Sequence, residues 1–174
     1  MDAKKRRLPA GWWVLPAVVP LILALDQLTK YLVTSRLALY ESWAPIPALS
    51  KLFTIHYITN TGAAFGILQD GNTFFVIVAI VVSIVLSIYY VTIPEGQRWL
   101  RLSLAMMMAG ALGNMIDRLL VGHVIDFFNV QIWPVFNVAD SSVVGGVLLL
   151  AVLLLLEDRA ERRQVQSAEE TECA

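Results

Sequence analysis

Two aspartates, Asp126 and Asp140, are the side chains of this sequence best placed to do chemistry. They stand on either side of a short segment that joins two long apolar stretches. Each apolar stretch is long enough to cross a membrane, and carboxylates at the edge of or inside a membrane span are costly and usually functional. The segment is long enough to turn back, so both carboxylates could meet near one membrane surface. Two close carboxylates hold one proton between them, because one pKa rises. One can then activate a water while the other polarises a carbonyl, which is the chemistry of aspartic peptidases.

The charge pattern alone leaves a plainer interpretation of this pair open. Aspartates that cap helix ends at a membrane interface are common and need no catalytic role. His56 and His123 lack a second His or Cys at metal-ligand spacing, which argues against a zinc site. Cys173 lies in a polar tail without an activating base, and no serine has a lysine or histidine partner in a motif.

A second set of polar residues lies within the predicted membrane spans. Asp26 and Lys30 stand four residues apart, so they share one face of the first span and can pair, although such a pair could serve only to anchor the helix at the interface. A polar stripe at spacings of three and four residues runs along the third span: Gly110, Asn114, Asp117 and Arg118. We expect Gly110 to permit close helix contact and Asp117 to form a structural clasp. Asn114 and Arg118 are expected to point toward the acids, as is Asn137, which precedes Asp140 on the same helix face.

The elements that must position these residues are membrane helices. The chain has 174 residues, of which 57% are hydrophobic and 16% charged, with a net charge of -1 and a mean hydropathy of +0.67. Four stretches reach the length of about 20 apolar residues that a bilayer-crossing helix needs: about 12–32, 74–93, 100–120 and 138–156. No small-residue cleavage site follows the first stretch, so we interpret it as a retained span. The sequence predicts an all-α membrane protein with a single membrane domain over residues 1–174.

The distribution of basic residues predicts how these spans are oriented. Nine Lys and Arg residues lie on one side, at the N-terminus, around residues 94–101 and at the C-terminus, against four on the other side. Both termini are therefore expected in the cytoplasm, and residues 33–73 outside. We expect the polar residues 157–174 to form a frayed cytoplasmic tail.

The outer segment contains a β-branched, alternating run, Phe53-Thr-Ile-His-Tyr-Ile-Thr59, that predicts a strand. Gly62, Gly66 and Gly71 interrupt the chain after it, as glycines do in turns and loops. A small extracytoplasmic β-containing surface region is therefore expected beside the four transmembrane helices.

Five ordered blocks give the chain its resemblance to a known family, over about Asp26 to Leu156. They are Asp26-Gln-Leu-Thr-Lys30, Asn60-Thr-Gly-Ala-Ala-Phe65, Gly110-Ala-Leu-Gly-Asn-Met-Ile-Asp-Arg118, Val124-Ile-Asp-Phe127 and Phe136-Asn-Val-Ala-Asp140. Because these blocks occur in this order within a four-span plan, the chain resembles the lipoprotein signal peptidase (signal peptidase II) family. One block would be weak, but five in order are specific.

The resemblance implies an aspartic endopeptidase whose catalytic pair matches Asp126 and Asp140. It also implies polar residues that line the substrate site, which here are Asp26, Asn60, Gly110, Asn114, Arg118 and Asn137. The family's substrate is a prolipoprotein whose Cys already carries diacylglycerol, and cleavage falls just before that Cys. The cyclic peptide globomycin inhibits such enzymes.

The expected setting is the bacterial cytoplasmic membrane, with the site near the extracytoplasmic face. We expect a monomer in contact with membrane lipid, with no metal, no cofactor and no nucleic acid partner.

Two other classes of protein remain as alternatives on the residues alone. A small transporter or proton-coupled channel would line a path with the same polar residues, but such a path should continue inward, whereas the acids cluster toward the outer side. A non-catalytic lipid-binding or assembly subunit would need the polar stripe but not two matched acids.

Overall fold

The computed structural model describes residues 11–62 and 71–172. Within these residues, four helices are long and apolar enough to cross a membrane. They are α1 (Val14–Thr34), α2 (Asn72–Thr92), α3 (Arg98–Leu120) and α4 (Val138–Glu172). The predicted fold class is therefore confirmed. Three features discussed above lie outside the described residues: the basic run before the first span, residues 63–66 and Cys173.

The fourth helix is longer than the sequence predicts. The apolar run ends near Leu156, yet α4 continues without a break to Glu172, so the prediction of a frayed tail is wrong for residues 157–172. The residues beyond Leu156 include Glu, Arg, Gln and Ala, which all have good helix propensity. Arg162 also pairs with Asp158 one turn earlier, with 2.9 Å between Nε and Oδ2.

Helix α3 lies at the centre of the bundle and packs against α1, α2 and α4. Its contact with α4 is close because glycine and alanine stand where the two backbones meet. A Cβ placed on Gly110 would overlap the carbonyl oxygen of Ala139 and lie 2.5 Å from Cγ2 of Val143. Lipid tails are as apolar as leucine, so helices in a membrane gain little by hiding apolar surface and depend on such close packing.

The end of the bundle where α2 ends and α3 begins is held by a buried arginine. Arg101, one of the basic residues around 94–101, lies in α3 and is fully buried. Its Nη1 and Nη2 donate to the carbonyl oxygens of Tyr90 (3.1 Å) and Ile93 (2.7 Å). Its guanidinium carbon also lies 4.9 Å from the centroid of the Tyr90 ring. These contacts satisfy carbonyls at the end of α2 that have no partner within the helix.

A small antiparallel sheet lies at the opposite end of the bundle, where α1 and α3 end. In the described part of the chain it has three strands in the order β1-β2-β3: β1 (Ser42–Trp43), β2 (Thr54–Asn60) and β3 (Val124–Asn129). The predicted strand over 53–59 is confirmed as β2, displaced by one residue. Strand β3 lies in the segment between the third and fourth predicted spans and was not predicted, because the aspartate in Val-Ile-Asp-Phe-Phe weakens a short β-branched and aromatic pattern.

The close contact between α3 and α4 predicts different effects for two adjacent glycines. In Gly146→Ala, the new Cβ would lie 2.7 Å from the Ser103 carbonyl oxygen, so backbone must move. In Gly145→Ala, it would meet only Met106 Cε at 2.9 Å, the free end of a flexible side chain. Both changes gain the same helix propensity. We expect Gly146→Ala to be less stable by about 1–3 kcal/mol, measured as a lower midpoint of thermal unfolding in detergent. Equal midpoints would contradict the close contact.

Candidate active site

The two aspartates singled out from the sequence come together at the junction of the sheet with the helix bundle. Asp126 projects from β3 and is 2% exposed. Asp140 lies in the first turn of α4 and is half-buried. Both carboxylates bond to the side chain or backbone of Asn137, which directly precedes α4. The structure therefore places them in one hydrogen-bond network.

Asn137 connects the two acids through a helix cap. Its Oδ1 accepts the backbone N–H of Asp140 at 2.8 Å, and its own backbone N–H donates to Asp140 Oδ2 at 3.2 Å. This reciprocal arrangement is a capping box, which arises when a capping side chain is followed three residues later by an acceptor. The Nδ2 of Asn137 is left free to donate to Asp126 Oδ1 at 2.7 Å. The residue that begins α4 therefore also sets the relative position of the two carboxylates.

A second asparagine, Asn114 of α3, holds the other oxygen of Asp140. Its Nδ2 donates to Asp140 Oδ1 at 2.7 Å. Its Oδ1 accepts from Asn137 Nδ2 (3.0 Å) and from Lys30 Nζ (3.1 Å). Because Lys30 can only donate, the Asn114 amide oxygen must face it and the amide nitrogen must face Asp140.

The sheet register brings Asn60 to Asp126. Ile58 of β2 lies opposite Asp126 in the ladder, so Asn60, two residues further on, is its diagonal neighbour on the same face. Asn60 Nδ2 donates to Asp126 Oδ2 at 3.0 Å, while its Oδ1 accepts the backbone N–H of Gly62 at 3.1 Å. Both oxygens of Asp126 therefore accept hydrogen bonds from asparagine amides.

The electrostatics of this site favour a shared proton. Burial, and secondly the charge of Asp140, raise the pKa of Asp126 to about 7, although hydrogen bonds from Asn60 and Asn137 and the charge of Lys30 act in the opposite direction. At neutral pH, Asp126 can therefore hold a proton beside a second carboxylate.

Behind the pair lies a buried ionic cluster formed by Asp26, Lys30 and Asp117. Lys30 Nζ is 2.8 Å from Asp26 Oδ2 and 2.7 Å from Asp117 Oδ2. The predicted pairing of Asp26 with Lys30 is confirmed, and so is the structural clasp at Asp117. All three side chains are at most 3% exposed.

The cluster ties several elements together through backbone groups. Asp26 Oδ1 accepts the N–H of Ala139 in the first turn of α4 at 2.9 Å, and Asp117 Oδ2 accepts the N–H of Ile125 in β3 at 3.2 Å. Gln27 Nε2 donates to Asp117 Oδ1 at 2.9 Å. Gln27 is not among the residues singled out from the sequence, although an amide within an apolar span is itself a signal.

The remaining predicted site residues occupy different surroundings. Gly110 lies within the α3–α4 contact, and Asp26 is buried behind the carboxylates, so both support the site from inside. Arg118 lies at its edge and is half-buried. Its Nη2 donates to the Gly62 carbonyl at 3.0 Å, and its guanidinium lies 4.9 Å from the centroid of the Phe75 ring. Within the described residues its Nε has no hydrogen-bond partner.

Comparison with known proteins identifies the family. Residues 18–156 match the family model described as "Signal peptidase (SPase) II". The lipoprotein signal peptidase of Moorella thermoacetica is 44% identical over 144 residues, which cover 83% of this chain and 94% of that protein. The enzyme of the same name from Bacillus subtilis is 40% identical over 148 residues, covering 83% and 94%.

Solved structures agree with this match. Two structures, each described as a bacterial membrane enzyme, superpose with TM-scores of 0.80 and 0.76 at 32% and 33% identity. They cover 86% and 84% of this chain, and 92% and 96% of their own chains. The match spans all four helices of the bundle, and it favours an enzyme over the transporter and binding-subunit alternatives. This chain is a multi-pass membrane peptidase and belongs to the signal peptidase II family.

Proposed function

We propose that the chain is an aspartic endopeptidase that removes signal peptides from diacylglyceryl-modified prolipoproteins, cleaving just before the lipidated Cys. The observation that carries this proposal is the joint placement of Asp126 and Asp140 on the capping asparagine Asn137, at one end of a membrane bundle. The relatives named above are lipoprotein signal peptidases, which supports the substrate class.

The two carboxylates share one proton in the proposed mechanism. Asp140 is the ionised base and takes a proton from a water, whose oxygen attacks the scissile carbonyl carbon. Asp126, with its pKa raised to about 7, donates a proton to the carbonyl oxygen as it becomes tetrahedral. As this intermediate collapses, one of its hydroxyl protons returns to Asp126, the C–N bond breaks, and the proton held by Asp140 passes to the departing amine. The mechanism needs neither a metal nor a covalent intermediate.

Arg118 and the asparagines are proposed to position substrate and acids. Arg118 lies half-buried at the edge of the site, where its guanidinium can reach a substrate carbonyl, while Asn60, Asn114 and Asn137 keep the carboxylate oxygens in fixed directions. We propose that Asp26 and Gly110 act from behind, by holding α1, α3 and α4 together.

We further propose that both termini are cytoplasmic and that the site lies near the extracytoplasmic face, where an anchored prolipoprotein presents its cleavage site. The excess of Lys and Arg, nine against four, supports this orientation. A labelling experiment with a membrane-impermeant thiol reagent tests it: in intact cells, a cysteine introduced at Lys51 should react, whereas Cys173 should not. The opposite pattern would invert the topology.

Removal of either carboxylate should greatly lower turnover. We expect Asp126→Asn and Asp140→Asn to lower kcat by about 10²–10⁴-fold, as loss of a general acid or base does. The measurement is a gel-shift assay in detergent with a diacylglyceryl-modified proprotein as substrate, and globomycin should block the wild-type reaction.

The matched control is Asp158→Asn, which removes an exposed carboxylate from the same helix as Asp140 and should leave the rate unchanged. Unfolding midpoints should show that the inactive variants are folded. Substantial cleavage by a folded Asp126→Asn or Asp140→Asn protein would refute the two-aspartate mechanism.

The pH profile should report on the proton held by Asp126. If Asp126 must be protonated, kcat/KM falls as pH rises through its pKa of about 7. The Asn60 amide stabilises the ionised form and lowers this pKa. Asn60→Ala should therefore move the alkaline limb to higher pH, whatever it does to the absolute rate. A limb that stays in place or moves to lower pH would remove Asp126 as the acid.

A further inference from the structure

A pocket of about 570 Å³ lies between the last turns of α1 and the sheet. Its walls come from α1, β1, β2 and β3, and include Phe127 and Phe128, which directly follow Asp126. None of the groups that hydrogen-bond to Asp126 or Asp140 lines it. Successive side chains alternate across a strand, so Phe127 faces away from the side that Asp126 occupies. The pocket is thus separate from the carboxylate site.

The chain that forms one wall of this pocket carries exposed apolar side chains. Trp43, which lines it, is 57% exposed, and Tyr40, Ile46 and Leu52 nearby along the chain are 67%, 53% and 67% exposed. Such residues directly after a membrane span are typical of chain that rests in the lipid interface. Leu32 and Val33 in the last turn of α1 form an apolar wall of the pocket. A lipid acyl chain can therefore enter this space without leaving its apolar surroundings.

The polar part of the pocket carries two opposite charges that do not pair. Arg36 and Glu41 both line it, yet within the described residues no ion pair joins them to each other or to any other side chain. Glu41 Oε2 accepts the backbone N–H of Ala38 at 2.7 Å, which fixes the direction of that carboxylate. Arg36 offers the planar donor geometry that matches phosphate oxygens. An unpaired guanidinium and an unpaired carboxylate beside one apolar space are complementary to a zwitterionic headgroup.

We propose that this pocket binds one membrane phospholipid with a phosphate and a primary ammonium in its headgroup. The phosphate lies at Arg36, the ammonium at Glu41, and one acyl chain lies along Leu32, Val33 and Phe127. The proposal assigns no step of the peptidase reaction to the lipid and does not depend on the proposed function.

Occupancy of the pocket would support the strand that carries Asp126. The N–H groups of Phe127 and Phe128 both donate to the Phe136 carbonyl, at 3.1 and 2.7 Å, which marks a bulge in β3. Bulges interrupt regular pairing, so this part of the strand depends more on packing from its two faces. A lipid against Phe127 provides that packing on the face opposite Asp126.

The test is lipid titration of the detergent-purified protein followed by native mass spectrometry. Phosphatidylethanolamine and phosphatidylglycerol are compared, because both carry phosphate but only the first carries an ammonium group. Wild type should retain more phosphatidylethanolamine. Arg36→Gln should weaken binding of both lipids by about threefold or more, whereas Glu41→Gln should remove the preference for phosphatidylethanolamine.

The matched control is Lys51→Gln, which removes an exposed positive charge from the same outer segment but outside the pocket. It should bind both lipids as wild type does. All three altered side chains are exposed, so the variants should fold. Equal binding by Arg36→Gln and Lys51→Gln would overturn the proposal. So would tighter binding of a phosphate-free diacylglyceryl peptide that Arg36→Gln leaves unchanged, since the pocket would then belong to a substrate.

Discussion

The amino group of Lys30 is the contact on which the rest of the site depends. It is buried with two carboxylates and an asparagine amide within hydrogen-bond distance, which satisfies its three donors. An unpaired ammonium group would be costly in a membrane interior. Here the two carboxylates and the amide oxygen offset that cost by accepting its hydrogen bonds. Through Asp26 it reaches the start of α4, and through Asp117 it reaches β3. The two elements that carry Asp126 and Asp140 are therefore both fixed to α1 by one cation.

The way the polar groups are used follows from what each can donate or accept. The proposed reactive carboxylates receive hydrogen bonds from asparagine amides, whereas the cation is kept for the structural carboxylates one layer further in. A cation beside Asp126 would favour its ionised form, and neutral amides do so less strongly. This separation leaves the raised pKa of Asp126 in place while the bundle remains held by a strong ionic contact.

The four helices and the identity of the polar site residues could be predicted from the sequence. Both depend on local properties, namely the length of each apolar stretch and the cost of placing a charge within it. It predicted the pairing of Asp26 with Lys30, which is a contact within one helix. It did not predict that Lys30 also pairs with Asp117, since that contact depends on the relative depth of two helices. The strand around Asp126 was missed because its length is short and its central residue is a poor strand former. The capping box at Asn137 and Asp140 was visible as spacing, but its bond to Asp126 required the return of the chain through β3.

The continuous fourth helix gives the protein an unusual mechanical property. At about 1.5 Å per residue, the 35 residues of α4 measure about 52 Å, whereas the hydrocarbon core of a bilayer is about 30 Å thick. The first turn of this helix carries Asp140, whereas its last turns extend beyond the apolar run. A small domain fused after the helix would stand clear of the membrane on a rigid lever rather than on a flexible tether. Its tilt would therefore follow any movement of α4, and a fluorescent label there could read out motion at the carboxylate end without touching it.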